Sequence, residues 1–161
     1  MNTNAAQQDE PKNGKRKLMF IVLFIVMAFS GFGQMPIFKR YYIADIPGMG
    51  WAADFYLTHY IHYIGAIFLF GFFAYVVTDY LISTRRHYLL TPSAYVRIVL
   101  LACIAGTGIF RVLKNLPDVV FSPDFTMFID ISHLVFMMMY LVAGLIFMIF
   151  RLGWTKEKIL S

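Results

Sequence analysis

Leu57-Thr58-His59-Tyr60-Ile61-His62-Tyr63-Ile64-Gly65 opens a long apolar run, and how it is read decides the fold. The run extends from about Phe55 to Ile82, with a single acidic residue, Asp79, near its far end. As an α-helix at roughly 1.5 Å per residue it reaches about 40 Å, longer than the hydrocarbon core of a bilayer, so it must tilt or protrude. An imidazole inside such a span is costly to keep and marks a candidate functional site. His59 and His62 lie about 60° apart around the helix axis, so both can look into the same interior.

Working outward, three more apolar runs suit membrane crossing: 18–38, 94–113 and 125–150. The sequence thus predicts an all-α, integral membrane four-helix bundle. A polar tail occupies 1–17, the four-helix domain 18–151 and a second polar tail 152–161. The first run has a basic start and an apolar centre, as a signal peptide does. It is longer than a signal core and lacks a small-x-small cleavage site before Lys39, so an uncleaved helix is expected. Tyr41, Tyr42 and Trp51 in the next loop are placed as interfacial aromatics. Pro47, Gly48 and Gly50 break regular structure there. No internal repeat is visible.

Composition agrees. Of the 161 residues, 60% are hydrophobic and 14% charged, and the mean hydropathy is +0.67. That apolar excess excludes an ordinary soluble domain. The net charge of +5 sits beside the apolar runs and reads as topology, with no nucleic-acid surface implied. The single cysteine, Cys103, excludes an internal disulfide and a thiolate-ligated iron–sulfur cluster within this chain. With both termini cytoplasmic, ten Lys/Arg lie inside and four outside, the latter being Lys39, Arg40, Arg111 and Lys114. The positive-inside rule therefore sends the first and third helices outward, and the second and fourth start at the outer face.

Depth then singles out a pair. His62 is about seven residues into the second helix and His133 about eight into the fourth, so both are expected roughly 10–12 Å below the outer face. His59 lies a turn nearer the surface. His59 and His62 share a face and cannot grip one iron from opposite sides, whereas imidazoles at matched depth on two helices suit bis-histidine ligation of a haem b. The other reading is of polar side chains hydrogen-bonded between helices. Gly31, Gly33, Gly65, Gly106 and Gly108 give clearance for a porphyrin edge or, equally, for close helix packing. Arg111 and Lys114 suit haem propionates or interfacial snorkelling. Asp130, one turn before His133, is a candidate to orient a ligand imidazole. Met137, Met138 and Met139 point in three directions and read as packing; His87 reads as solvated.

On Ser30-Gly31, the His62-Tyr-Ile-Gly65 turn, Gly106-Thr-Gly108 and His133, the chain resembles the four-helix cytochrome b (gamma) subunits of respiratory formate dehydrogenases and the related nickel–iron hydrogenase cytochromes b. The resemblance covers most of residues 17–150. It implies a multi-pass protein of the bacterial inner membrane that passes electrons between a periplasmic iron–sulfur subunit and membrane quinone, with a catalytic subunit in the same complex. It also implies His62 and His133 as axial ligands of the outer haem, with Gly31, Gly65 and Gly108 around it. His59 is then placed to hydrogen-bond a propionate or a quinone carbonyl. The inner-haem ligand positions fall at Lys17 and Phe147, neither able to replace histidine, so one haem b is expected. Two rivals remain: a haem-free anchor with a quinone pocket, and a small proton-linked carrier.

Overall fold

The computed structural model describes residues 6–35 and 37–158. The architecture is all-α. It comprises α1 (Ala6–Gly33), the short α2 (Ile37–Arg40), α3 (Phe55–Ile82), α4 (Pro92–Leu113) and α5 (Pro123–Ile149). The only sheet among the described residues pairs two three-residue strands, β1 (Tyr88–Leu90) and β2 (Thr155–Glu157). Four stretches are long and apolar enough to cross a membrane: Gly14–Gly33, Phe55–Ile82, Pro92–Leu113 and Pro123–Ile149. Large apolar side chains stay outward in all four, Ile25, Ile67, Val99 and Val142 among them, each more than half exposed. Helices that satisfy their own backbone and turn such side chains outward are suited to lipid. The chain is a multi-pass membrane protein.

The chain divides into two units, 1–82 and 83–161, each an antiparallel helical hairpin. In the first, α1 packs along α3. Phe20 stacks on Phe72 with ring centroids 6.2 Å apart, and Met27 lies over Gly65, where an added Cβ would come within 2.8 Å of its sulfur. At the far end Arg16 Nη1 pairs with Asp79 Oδ2 at 2.8 Å and Nη2 donates to the Tyr75 hydroxyl at 2.9 Å.

Two boundaries of this hairpin differ from expectation. The backbone is already helical from Ala6, inside the stretch read as a polar tail, and α1 stops at Gly33 where the apolar run continued to 38. The proline at position 36 disfavours helix in the residue before it. Gly33 itself is pressed against Thr58 and the Ala52 carbonyl of the same unit. The segment after α1 is organised by an aromatic cluster, with Phe29 at 4.9 Å from Phe38 and 5.7 Å from Trp51. It turns through Tyr42 and Gly48, both at positive φ (59° and 86°). Asp54 then caps α3, accepting from the Leu57 N–H at 3.1 Å.

In the second hairpin, α4 and α5 each start two residues before the sequence reading, for one reason. Thr91 and Ser122 are N-caps, accepting from Ala94 N and Phe125 N, and each is followed by proline at the first helical position. At the end that the charge count assigns to the cytoplasm, the Arg97 guanidinium lies 4.7 Å from the Phe147 ring and 4.9 Å from Trp154. Its Nη2 donates to the Leu152 carbonyl at 2.8 Å. Part of the tail at 152–161 is paired with the segment before α4: β2 runs antiparallel to β1, Leu89 opposite Lys156. Thr91 Oγ1 also donates to the Gly153 carbonyl at 2.7 Å.

Candidate functional site

The first half-site lies in the α1–α3 hairpin. Ser30 is almost wholly buried, 1% exposed. Its Oγ stands 2.7 Å from the Val26 carbonyl, 3.3 Å from the Met27 carbonyl and 3.0 Å from His62 Nδ1. A hydroxyl has one hydrogen, and carbonyl oxygens only accept. The shorter contact gives the Ser30 hydrogen to the Val26 carbonyl of its own helix, and in that arrangement His62 Nδ1–H donates to the hydroxyl oxygen, so the neutral imidazole is the Nδ1–H tautomer. Gly31 lies flat against the same ring, and a Cβ there would be 3.3 Å from His62 Cε1.

The second half-site, in the α4–α5 hairpin, repeats this arrangement. Thr107 Oγ1 stands 2.8 Å from the Cys103 carbonyl, 3.0 Å from the Ile104 carbonyl and 3.0 Å from His133 Nδ1. With the Thr107 hydrogen likewise kept on its own helix, His133 donates through Nδ1–H, and the imidazole also has a hydrogen bond with the Ile104 backbone. The residue after the hydroxyl is again glycine, and a Cβ on Gly108 would sit 3.4 Å from His133 Cε1. Each hairpin thus holds one imidazole by a hydroxyl–glycine dipeptide of the preceding helix. The repetition is local: the sequence, read as having no internal repeat, carries it in two residues, Ser-Gly and Thr-Gly.

The other expected site residues fall into place around these two. His59 Nδ1 lies 3.1 Å from Gln34 Oε1, and its ring stacks on Phe55 at 5.4 Å and lies 4.2 Å from Tyr63. Gln34 Nε2 reaches the Ser30 carbonyl at 3.4 Å, so both histidines of α3 are tied to α1 around Ser30. Gln34 Oε1, a carbonyl oxygen, accepts from His59 Nδ1–H. Beside Gln34 lies a cavity of about 240 Å³ lined by Gly33, Met35, Lys39, Ala53 and Phe55.

Asp130 does not serve His133 Nδ1, which Thr107 holds. Its carboxylate meets Lys114 Nζ at 2.6 Å and Arg111 Nε at 3.1 Å, two cations on one anion. Gly65 packs against Met27, the helix-packing use of a small residue. Gly106 has nothing within 4 Å of an added Cβ. Ser30 and Thr107 as histidine partners, and Gln34 as the partner of His59, are the residues that sequence reading missed. A hydroxyl before glycine on each outward helix was their one visible signal.

The fold is that of a multi-pass all-α membrane protein, in which His62 and His133 are each hydrogen-bonded to a hydroxyl of the preceding helix in their own hairpin. No family model matches the chain, and neither a curated protein nor a solved structure matches it. Among the described residues no group of three or more His, Cys, Asp or Glu could hold a metal ion. Two imidazoles suffice as protein ligands where a macrocycle supplies the remaining coordination, as a porphyrin does.

Proposed function

We propose that this chain is a cytochrome b-type electron-transfer subunit with one haem b held by His62 and His133. The observation that carries the reading is the duplicated half-site. A histidine that ligates metal through one nitrogen characteristically donates its other N–H to a fixed acceptor, and both histidines do so from Nδ1. The bound haem would supply one-electron redox chemistry; the chain supplies ligands, clearance and burial.

Support for one haem comes from the opposite ends of the hairpins. Phe147, where a second ligand is sought by resemblance, lies beside Arg97. Lys17 adjoins Arg16, which is engaged by Asp79 and Tyr75. On this reading the subunit belongs to a respiratory complex in the bacterial inner membrane. It exchanges electrons between a periplasmic iron–sulfur partner and membrane quinone, and a separate subunit carries the catalytic site. The excess cation left by Arg111 and Lys114 over Asp130 suits a propionate at the outer end.

The test is an oxidised and dithionite-reduced absorption spectrum of the purified protein, with a pyridine haemochrome assay. One haem b per chain is expected. A protein expressed with ample haem that shows no b-type spectrum would leave a haem-free anchor as the better reading.

A further inference from the structure

Each imidazole of the pair meets two features of the preceding helix at once. A hydroxyl oxygen takes the Nδ1 hydrogen at 3.0 Å in both hairpins, and the glycine after it leaves open the place where a Cβ would come within 3.3–3.4 Å of Cε1. The hydroxyl is itself fixed, because its hydrogen is committed to carbonyls of its own helix. The hydrogen bond sets which nitrogen carries the proton, and the glycine gives the ring room that a larger residue would fill.

We propose that Ser30-Gly31 and Thr107-Gly108 are a matched pair of positioning elements, each holding the histidine of its own hairpin as an Nδ1–H imidazole with Nε2 left as the ligating nitrogen, and that they tune the potential of the haem. The inference rests on the haem reading above. A hydroxyl is a weaker acceptor than a carboxylate, so it leaves the imidazole nearly neutral and less electron-rich than a carboxylate partner would. Ligand basicity of this kind tunes the metal, and partners at this remove are commonly worth 10–100-fold in metal affinity. Loss of the acceptor lowers ligand basicity further and favours ferrous iron. It also frees the ring to adopt the Nε2–H tautomer, in which the ligating nitrogen is blocked.

The experiment uses Ser30→Ala and Thr107→Val, with Ser30→Thr and Thr107→Ser as variants that keep a hydroxyl. Histidine ¹⁵N spectra of the full-length, haem-free protein in detergent read the tautomer, and potentiometric titration of the haem-loaded protein reads the potential. The wild type should show Nδ1–H at both histidines. Ser30→Ala and Thr107→Val should each mix in the Nε2–H form at the facing histidine, speed haem loss by about tenfold, and raise the reduced-to-oxidised ratio at fixed ambient potential. That ratio should change by up to about tenfold, 59 mV for one electron. The hydroxyl-keeping variants should restore tautomer and potential. If wild type binds haem but Ser30→Ala and Thr107→Val leave tautomer and potential unchanged, the inference is overturned and the haem reading stands. Failure of Ser30→Thr and Thr107→Ser to restore either quantity would reduce both hydroxyls to packing groups and overturn it also. A wild type that holds no haem removes the reading and the inference together.

Discussion

Replacing Gly33 by alanine tests the helix pairing beneath the first half-site. The new Cβ would lie 2.8 Å from Thr58 Cγ2 and 3.2 Å from the Ala52 carbonyl oxygen. Ordinary contact begins near 3.4 Å, so something must move by about 0.6 Å. Neither obstacle yields readily. Thr58 is fully buried, its hydroxyl is bonded to the Asp54 carbonyl at 2.8 Å, and a β-branched side chain has few rotamers to retreat into. The other obstacle is backbone. Overpacking of this kind costs about 1–3 kcal/mol, and at the last residue of α1 little helix propensity is gained in return. Gly106→Ala is the control: it lies within α4 with no atom inside 4 Å, and alanine in a helix interior gains up to about 1 kcal/mol over glycine. Thermal unfolding of both variants in the same detergent, followed by circular dichroism, should place Gly33→Ala below wild type and Gly106→Ala at or above it. If Gly33→Ala unfolds at or above the temperature of Gly106→Ala, the close approach of α1 to Thr58 and Ala52 is wrong.

The remaining predictions concern the faces, the haem and the polar contacts. A cysteine introduced at Gly48 should be labelled by a membrane-impermeant thiol reagent in intact cells and one at Gly14 should not; the opposite pattern would invert the topology. His62→Ala and His133→Ala should each abolish the low-spin b spectrum, and a normal spectrum in either variant would remove that residue as a ligand. His59→Ala should keep the spectrum and lower quinone-dependent turnover of the assembled complex. Gln34→Leu should reproduce that phenotype because Gln34 holds His59 Nδ1; unchanged turnover in both would detach this pair from quinone. Asp79→Ala should cost no more than about 1 kcal/mol in detergent unfolding, since the pair with Arg16 is partly solvated; a larger loss would mean that the contact is drier than it looks.

The helical class and the four spans were legible because the signal is collective. Some twenty apolar residues in a row can satisfy their backbone in lipid only as helix, and no single side chain has to be read correctly. The limits of α3 matched at Phe55 and Ile82 for the same reason. Ends were less legible where one residue decides them. Ser122-Pro123 and Thr91-Pro92 are cap-and-proline signals that extend α5 and α4 by two residues beyond the apolar runs. The β1–β2 pairing was invisible, since three residues carry too short an alternation to announce a strand and their partners lie far apart in sequence.

The two extra residues of α5 change where His133 falls along its helix. His62 follows the start of α3 by seven residues and His133 follows the start of α5 by ten. Counted from those starts, His62 lies about 10 Å and His133 about 15 Å along its own helix. Such counts do not measure depth, because a helix start is set by its cap and not by the membrane surface. The equivalence of the two histidines rests on different ground. Each is aligned by a hydroxyl of its own helix partner, Ser30 or Thr107, through a hydrogen bond of 3.0 Å in both hairpins, with glycine next in the chain. Side-chain chemistry at the ring, repeated on separate helices, is a sharper criterion for paired ligands than residue counts from helix ends. It also names the residues whose exchange would break the pair.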